Sequence, residues 1–297
     1  MIQPDFLRKG DTVLVIATAR KVSKTEMKPV FNLLKSWGLI PEQGPHLFSS
    51  YNQFAGSDKH RAEDLQYAIR HPKAKAVFIA RGGYGTVKII DKINYSALKK
   101  YPKWFIGFSD ITVLHNRLSL LNLQSIHGPM PITFDKSKAA VRALKNTLFG
   151  QLPVIACNQA KHNRIGTARG ILTGGNLSIL YSLSGTADEV DTDDKILFIE
   201  DLDEYLYHID RMMMQLKRSG KLRNLKALIV GGMSQMKDHK IKYGKNAQQI
   251  IVEAVQDYNY PVCFNFPAGH LKKNIPLVFG QNVQLKVSKK GSELIYL

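Results

Sequence analysis

Residues 76–85 read AVFIARGGYG and residues 103–112 read KWFIGFSDIT. Each is a short apolar run that stops on a turn of glycine or hydroxyl residues and passes into a segment suited to a helix. Two such βα units in succession predict a mostly parallel sheet flanked by helices. The pattern extends outward on both sides. Thr12–Ala17 reads as a first strand, Lys24–Trp37 as a helix stopped by Gly38, and Leu39–Ile40 as the start of a second strand. Ser57 or Asp58 is suited to cap a helix running to about Arg70. Helices are expected from the Gly85 turn through Ile93 and over Asp110–Leu121. Pro129–Thr133 interrupts the alternation, and a helix from about Asp135 to Leu148 closes the first half.

The second half has a different texture. A Gly-rich turn at Gly174-Gly175 leads to a helix over Asn176–Leu183 and a strand over Lys195–Ile199. A long amphipathic helix is expected from about Glu204 to Arg218, then a strand at Ala227–Val230 and a helix over Ala247–Tyr258. Strands follow at Pro261–Phe266, Pro276–Phe279, Val283–Val287 and Glu293–Tyr296. The expected class is therefore α/β. Residues 1–150 form a Rossmann-like parallel-sheet domain, 151–166 a polar linker, and 167–297 a mixed domain richer in β-structure.

At 297 residues and 44% hydrophobic content, the chain can bury a real core. The apolar run Val13–Ala17 is preceded by Asp5, Arg8, Lys9 and Asp11 and followed by no small-residue cleavage site, so it does not read as a signal peptide. No apolar run approaches the roughly 18 residues of a spanning helix. The expected location is the cytoplasm, with no membrane partner. Cys157 and Cys263 lie in no C-x-x-C pair and near no His cluster, which predicts two reduced thiols rather than a disulfide or a zinc site. The net charge of +18 favours an anionic partner. The basic residues are scattered, however, and no nucleic-acid-binding signature accompanies them, so nucleic acid is not expected.

Three apolar runs stop on residues able to do chemistry. KWFIGF runs into Ser109, KILFI (195–199) runs into Glu200, and PVCFNF (261–266) is followed after Pro267-Ala268-Gly269 by His270. In open α/β sheets ligands bind at the carboxyl ends of strands. A hydroxyl, a carboxylate and an imidazole delivered there are the parts of a nucleophile–base–orienter triad. Each has a plainer reading. Ser109 suits a helix N-cap, with Asp110 in the first turn. Glu200 could belong to an acidic cluster with Asp201, Asp203 and Glu204 at a helix start, and His270 could be structural, with His127 as the rival base. The Arg81–Gly85 turn fits a phosphate cradle, an oxyanion-hole wall or a tight βα turn. It is not a P-loop, since no G-K-[ST] follows.

An ordered set of motifs resembles the serine LD-carboxypeptidase family, which includes murein tetrapeptide carboxypeptidases and microcin C self-immunity peptidases. The set comprises Phe54-Ala55-Gly56, Arg61-Ala62-Glu63-Asp64-Leu65, Arg81-Gly82-Gly83-Tyr84-Gly85 and Gly107-Phe108-Ser109-Asp110-Ile111-Thr112. It continues with His127-Gly128-Pro129-Met130, Gly174-Gly175-Asn176-Leu177, Leu197-Phe198-Ile199-Glu200-Asp201 with Tyr207, Asp210 and Arg211, and Gly269-His270.

The resemblance implies Ser109 as nucleophile, His270 as general base and Glu200 as its orienting carboxylate. It places the oxyanion hole at the backbone of Asp110 and of Gly82 or Gly83, and makes Arg81 and Tyr84 candidate substrate contacts, Arg81 alternatively being an ion pair that supports the turn. It also implies an active site at the domain interface, no metal or other cofactor, a homodimer, and a murein tetrapeptide that loses its terminal D-alanine. The alternatives are a peptidyl-nucleotide substrate, for which Trp37 and Trp104 offer no aromatic platform, and a non-enzymatic binding module. Ala17-Thr18-Ala19-Arg20 and Tyr205-Leu206-Tyr207 depart from the family pattern, where relatives carry a proline and a serine, and a proline, respectively.

Overall fold

Strands buried on both faces need apolar side chains in both directions, and the run TVLVI does this with every residue buried. It forms β1 (Thr12–Ile16). A computed structural model describes residues 1–297, which separate into two units: residues 1–152 with 275–278, and residues 153–274 with 279–297.

The first unit follows β1 with α1 (Lys24–Ser36), β2 (Ile40–Gln43), α2 (Asp58–Arg70), β3 (Ala74–Ile79), β4 (Trp104–Gly107), α3 (Thr112–Leu120), β5 (Ser125–His127) and α4 (Lys138–Leu148). Its six-stranded sheet is completed by β11 (Leu277–Phe279), in the order β11-β5-β4-β3-β1-β2. The pairs from β2 through β5 are all parallel. The order reverses between β1 and β3, so the loops after these strands flank a topological switch point, and Ser109 follows the next strand, β4. Local signals set the helix ends. Ser23 and Glu26 form a reciprocal capping box on α1, and Ser57 caps α2 by accepting from the His60 N–H. Lys103, fully buried, closes the other end of α2: its ammonium donates to the carbonyls of Ala68, Ile69 and His71 at 2.9, 3.1 and 2.6 Å. Burial pulls its pKa down to about 8.

Between β3 and β4 the expected helix is replaced by three short 3₁₀ turns, Thr86–Lys88, Ile90–Lys92 and Ser96–Lys99. The segment Thr86–Ile93 is crowded with β-branched side chains, which lowers helix propensity.

The second unit contains β6 (Ile155–Cys157), β7 (Gly166–Asn176), α5 (Leu177–Ser182), β8 (Lys195–Leu202), α6 (Leu206–Arg218), β9 (Ala227–Ser234), α7 (Ala247–Ala254), β10 (Val262–Cys263), β12 (Asn282–Ser288) and β13 (Gly291–Tyr296). Its mixed sheet runs β10-β9-β8-β7-β12-β13-β6, parallel from β7 to β10 and antiparallel from β7 through β12 and β13 to β6. The α/β class, with a parallel first sheet and a mixed second sheet, is the one expected.

Several details differ from the sequence reading. The polar stretch 151–166 carries β6 and reaches β7, so it is tied into the sheet rather than left as a linker. Residues 275–278, expected in the second half, join the first unit. The Gly174-Gly175 turn is the end of β7, where a side chain on Gly174 would meet the Phe198 carbonyl of β8 at 1.9 Å. The second sheet packs β8 and β9 against α6 and α7 through a core that includes Leu197, Ile199, Met212, Met213, Ile250 and Phe264.

Candidate active site

Ser109 sits where β4 passes into a 3₁₀ turn, Ser109–Ile111, that feeds α3. Its φ is 64°, a left-handed conformation that a serine adopts at a cost of about 1–2 kcal/mol. Such a strained strand-to-helix turn holds a serine hydroxyl above the sheet. The familiar elbow has a second glycine two residues past the serine; here that residue is Ile111, and it packs over Gly107. A side chain on Gly107 would stand 2.8 Å from the Ile111 Cγ1 atom. The departure is therefore compensated within the turn.

The loops around Ser109 are tied by buried polar groups. Asp110, 1% exposed, accepts from the Thr86 N–H at 2.9 Å, and the Thr86 and Thr18 hydroxyls meet at 2.8 Å. Burial raises the pKa of Asp110, against its hydrogen bonds to Thr86 and Gly85 and the Arg61 charge. Arg61, fully buried, donates to the carbonyls of Thr18 and Gly85 at 2.8 Å each and pairs with Asp58. One guanidinium thus joins the loops after β1 and β3 to the start of α2. Gly82 lies beside the serine: a side chain there would begin 3.4 Å from Ser109 Cβ. Gly83 lies beneath Arg20, whose Cδ would be 2.6 Å from a side chain at that position. The sequence marks the loop Ala17-Thr18-Ala19-Arg20 as unusual but gives no sign that Arg20 itself is a site residue. Arg81 acts on Glu26, whose pKa it helps to lower behind the larger effect of Ser23. Tyr84 is half exposed and tilts against Phe54 at 6.4 Å.

Two of the histidines of this unit, His115 and His127, are buried. His115 is buried, with Nε2 donating to the Gly107 carbonyl at 2.9 Å and Nδ1 accepting from Ser125 at 2.8 Å. Burial pushes its pKa down to about 4, so it is a neutral strut beneath the serine strand. His127 is fully buried, edge-on to Phe108 at 5.9 Å.

In the second unit, Glu200 lies inside β8 rather than at its end, because β8 continues to Leu202. A register shift between Ile199 and Asp201 in the pairing with β9 accompanies it, the kind of irregularity that re-aims a side chain. Glu200 is fully buried, and its Oε2 meets His270 Nδ1 at 2.6 Å and accepts from the His270 N–H at 3.0 Å. An acceptor on Nδ1 keeps the proton there and puts the basic lone pair on Nε2. Gly269 makes the contact possible: at φ 95°, a side chain on it would start 2.6 Å from Glu200 Cβ and Cγ. The His270 carbonyl accepts from Ser234 Oγ at 2.6 Å, and Asn274 accepts from the Gly269 N–H at 2.8 Å.

Asn176, the N-cap of α5, faces Glu200 at 3.4 Å and donates to Asp201 at 2.9 Å. Asp201 also accepts from the Ser178 and Leu202 amides at 2.8 Å each. Burial and the neighbouring Glu200 raise its pKa to about 7. The Gly174-Gly175-Asn176 motif was the available signal for this support. A separate exposed stack joins Tyr205 and His239 at 4.5 Å and Tyr207 and His239 at 5.4 Å, with Lys237 and Arg211 against the two tyrosine rings. Trp37 and Trp104 are core residues. No group of three or more His, Cys, Asp or Glu side chains is placed to hold a metal. No helix is long and apolar enough to cross a membrane.

Comparison with known proteins adds to this geometry. The family model of the LD-carboxypeptidase N-terminal domain matches residues 13–128, and that of the C-terminal domain residues 169–285. A Bacillus subtilis (strain 168) protein named probable murein peptide carboxypeptidase is 34% identical over 295 residues, covering 97% of this chain and 92% of that one. The crystal structure of muramoyltetrapeptide carboxypeptidase from Oxalobacter formigenes aligns with a TM-score of 0.88 at 27% identity, over 96% of this chain and 98% of that one. The wild-type microcin C7 self-immunity protein MccF aligns with a TM-score of 0.87, over 99% of this chain and 98% of its own; at 18% identity the likeness is one of fold.

Proposed function

The chain belongs to the LD-carboxypeptidase family, and we propose that within it the protein is a serine hydrolase releasing the terminal D-alanine of murein tetrapeptides. The observation that carries this reading is the buried Glu200–His270 pair, with its 2.6 Å contact and the space cleared for it by Gly269. The contact fixes the tautomer that leaves the basic lone pair on His270 Nε2, which is what a general base needs.

In this reading Ser109 Oγ attacks the carbonyl of the amide between the L-centre and the D-residue, and His270 Nε2 takes its proton. Glu200 stabilises the imidazolium. The amides of Asp110 and of Gly83 or Gly82 receive the oxyanion. Collapse breaks the C–N bond, the leaving amine takes the proton from His270, and water then hydrolyses the acyl-serine by the same route. His127 is less suited as base because it is wholly buried. Arg20, exposed over Gly83 with its guanidinium 3.4 Å from Gln53 Oε1, is suited, like Arg81, to meet the substrate's free carboxylate.

The stacked Tyr205–His239 pair with its adjoining cations favours a second reading, a peptidyl-nucleotide whose base lies on the rings. One experiment separates the two. The protein is incubated with murein tetrapeptide, with the same peptide ending in L-alanine or in D-alanine amide, and with an aminoacyl-sulfamoyl nucleoside, and the products are weighed. Release of D-alanine from the first alone is expected, with Arg20→Ala raising KM for it. Cleavage of all three peptides marks a general carboxypeptidase, and preference for the nucleoside installs the second reading.

A further inference from the structure

Cys157 lies in β6 and Cys263 in β10, the two outermost strands of the second sheet. Strand order sets them as far apart as that sheet allows, and they are 106 residues apart in sequence, yet their Sγ atoms stand 3.7 Å from each other. The two edges of the sheet therefore curl together. Polar groups hold them there independently of sulfur. Arg164 bridges to Val262 through backbone hydrogen bonds of 2.9 and 3.1 Å. Asn163 accepts from the Phe264 N–H at 2.8 Å and donates to Ser292 Oγ on β13 at 3.4 Å.

The two thiols differ in character. Cys263 is fully buried, whereas Cys157 is part exposed and opens on a cavity of about 340 Å³ that Lys286, Lys290 and Glu293 also line. Hydrogen bonding from Cys263, and then from Ser292, holds the Cys157 thiol below its ordinary pKa against the cost of burial. The same contact and burial push Cys263 up. One sulfur borders the cavity; the other is sheltered behind it. This is the disposition of an attacking and a resolving thiol.

We propose that Cys157 and Cys263 form a redox dithiol, oxidised by a hydroperoxide to an intramolecular disulfide that closes the second sheet edge to edge. The Cys157 thiolate attacks one peroxide oxygen, the O–O bond breaks, and the departing oxygen takes a proton to leave as water (or as an alcohol from an organic hydroperoxide). Cys157 is then a sulfenic acid. The Cys263 sulfur attacks Cys157 Sγ, the S–O bond breaks, and the hydroxide released takes the Cys263 proton. Two thiols and hydrogen peroxide give one disulfide and two waters. A dithiol reductant restores both thiols by exchange.

The test uses the reduced full chain exposed to hydrogen peroxide, then denatured, alkylated and weighed. The expected product is lighter by two hydrogens, takes no alkylating agent, and yields a linked peptide pair containing residues 157 and 263. Dithiothreitol should reverse all three, and closing so long a loop should raise Tm by several degrees. Cys263→Ser should stop at a sulfenic acid on Cys157 that dimedone traps. Two alkylatable thiols after a treatment that oxidises glutathione would overturn the proposal. So would a Cys157 sulfinic acid beside an unreacted Cys263, or cross-links found only between chains. Each of these outcomes is read on the native sequence, whatever the folding of the variant.

Discussion

Gly269 and Glu200 are complementary: the space a side chain on Gly269 would fill is occupied by the glutamate, whose Cβ and Cγ lie 2.6 Å from that position. Gly269→Ala should therefore displace Glu200 from His270 and force a left-handed alanine at φ 95°. The expected result is a fall in kcat of about 10²-fold or more with a lowered Tm, because small displacements of catalytic groups carry losses of that size. Unchanged turnover would show that the Glu200–His270 contact is dispensable.

Ser109→Ala should remove most turnover, on the order of 10⁴–10⁶-fold, while the chain still folds. The φ of 64° adds a second readout. Glycine accepts that backbone and alanine does not, so Ser109→Gly should be more stable than Ser109→Ala by about 1 kcal/mol in denaturant unfolding. Equal stabilities would mean the turn relaxes without cost.

The acid limb of the kcat/KM profile should belong to His270. It should vanish along with activity in His270→Ala and persist in His127→Gln, which should mainly lose stability. His115, pushed down to about 4 by burial, stays neutral through the working range and adds nothing to that limb. A limb that follows His127 instead would reassign the base.

Asp201 should govern part of the pH dependence of stability. Its carboxyl titrates near 3.8 when unfolded and near 7 in the folded chain, so the folded state holds an extra proton between those values. Stability should fall as pH rises from about 4 to about 7, by up to an amount on the order of 3 kcal/mol from this group. Asp64, held near 6 by burial, acts in the same direction, so the comparison is between variant and parent. Asp201→Asn should flatten the slope in thermal melts taken across that range; an unaltered slope would place the titration elsewhere.

The parallel strands were legible because a strand buried on both faces is apolar at every position, as in AVFIA and ILFI. Even Lys103, a charge at the head of such a run, obeyed the pattern by capping α2. What escaped was set by distant partners. β7 reads as polar and glycine-rich until β8 and β12 cover it, and its Gly174 is explained only by the Phe198 carbonyl. Glu200 was placed at a strand end because the apolar run stops there, whereas its carboxylate is buried through His270 and Asn176. The thiols of Cys157 and Cys263 carry no spacing signal, since their approach depends on the curl of a whole sheet. Arg20 escaped because only the folded loops put it over Gly83.

The position of β11 has a consequence for how the chain is made. It borders β5 in the first sheet, yet it lies after nearly all of the second unit in sequence. During vectorial synthesis β1 through β5 leave the ribosome long before residues 277–279 do. For that interval β5 offers an unpaired edge, the kind of template on which nascent chains join one another. The late strand thus makes completion of the first sheet one of the last events of biosynthesis, and truncation anywhere upstream of it releases a product whose earliest-made sheet lacks its outermost strand and exposes β5 in its place.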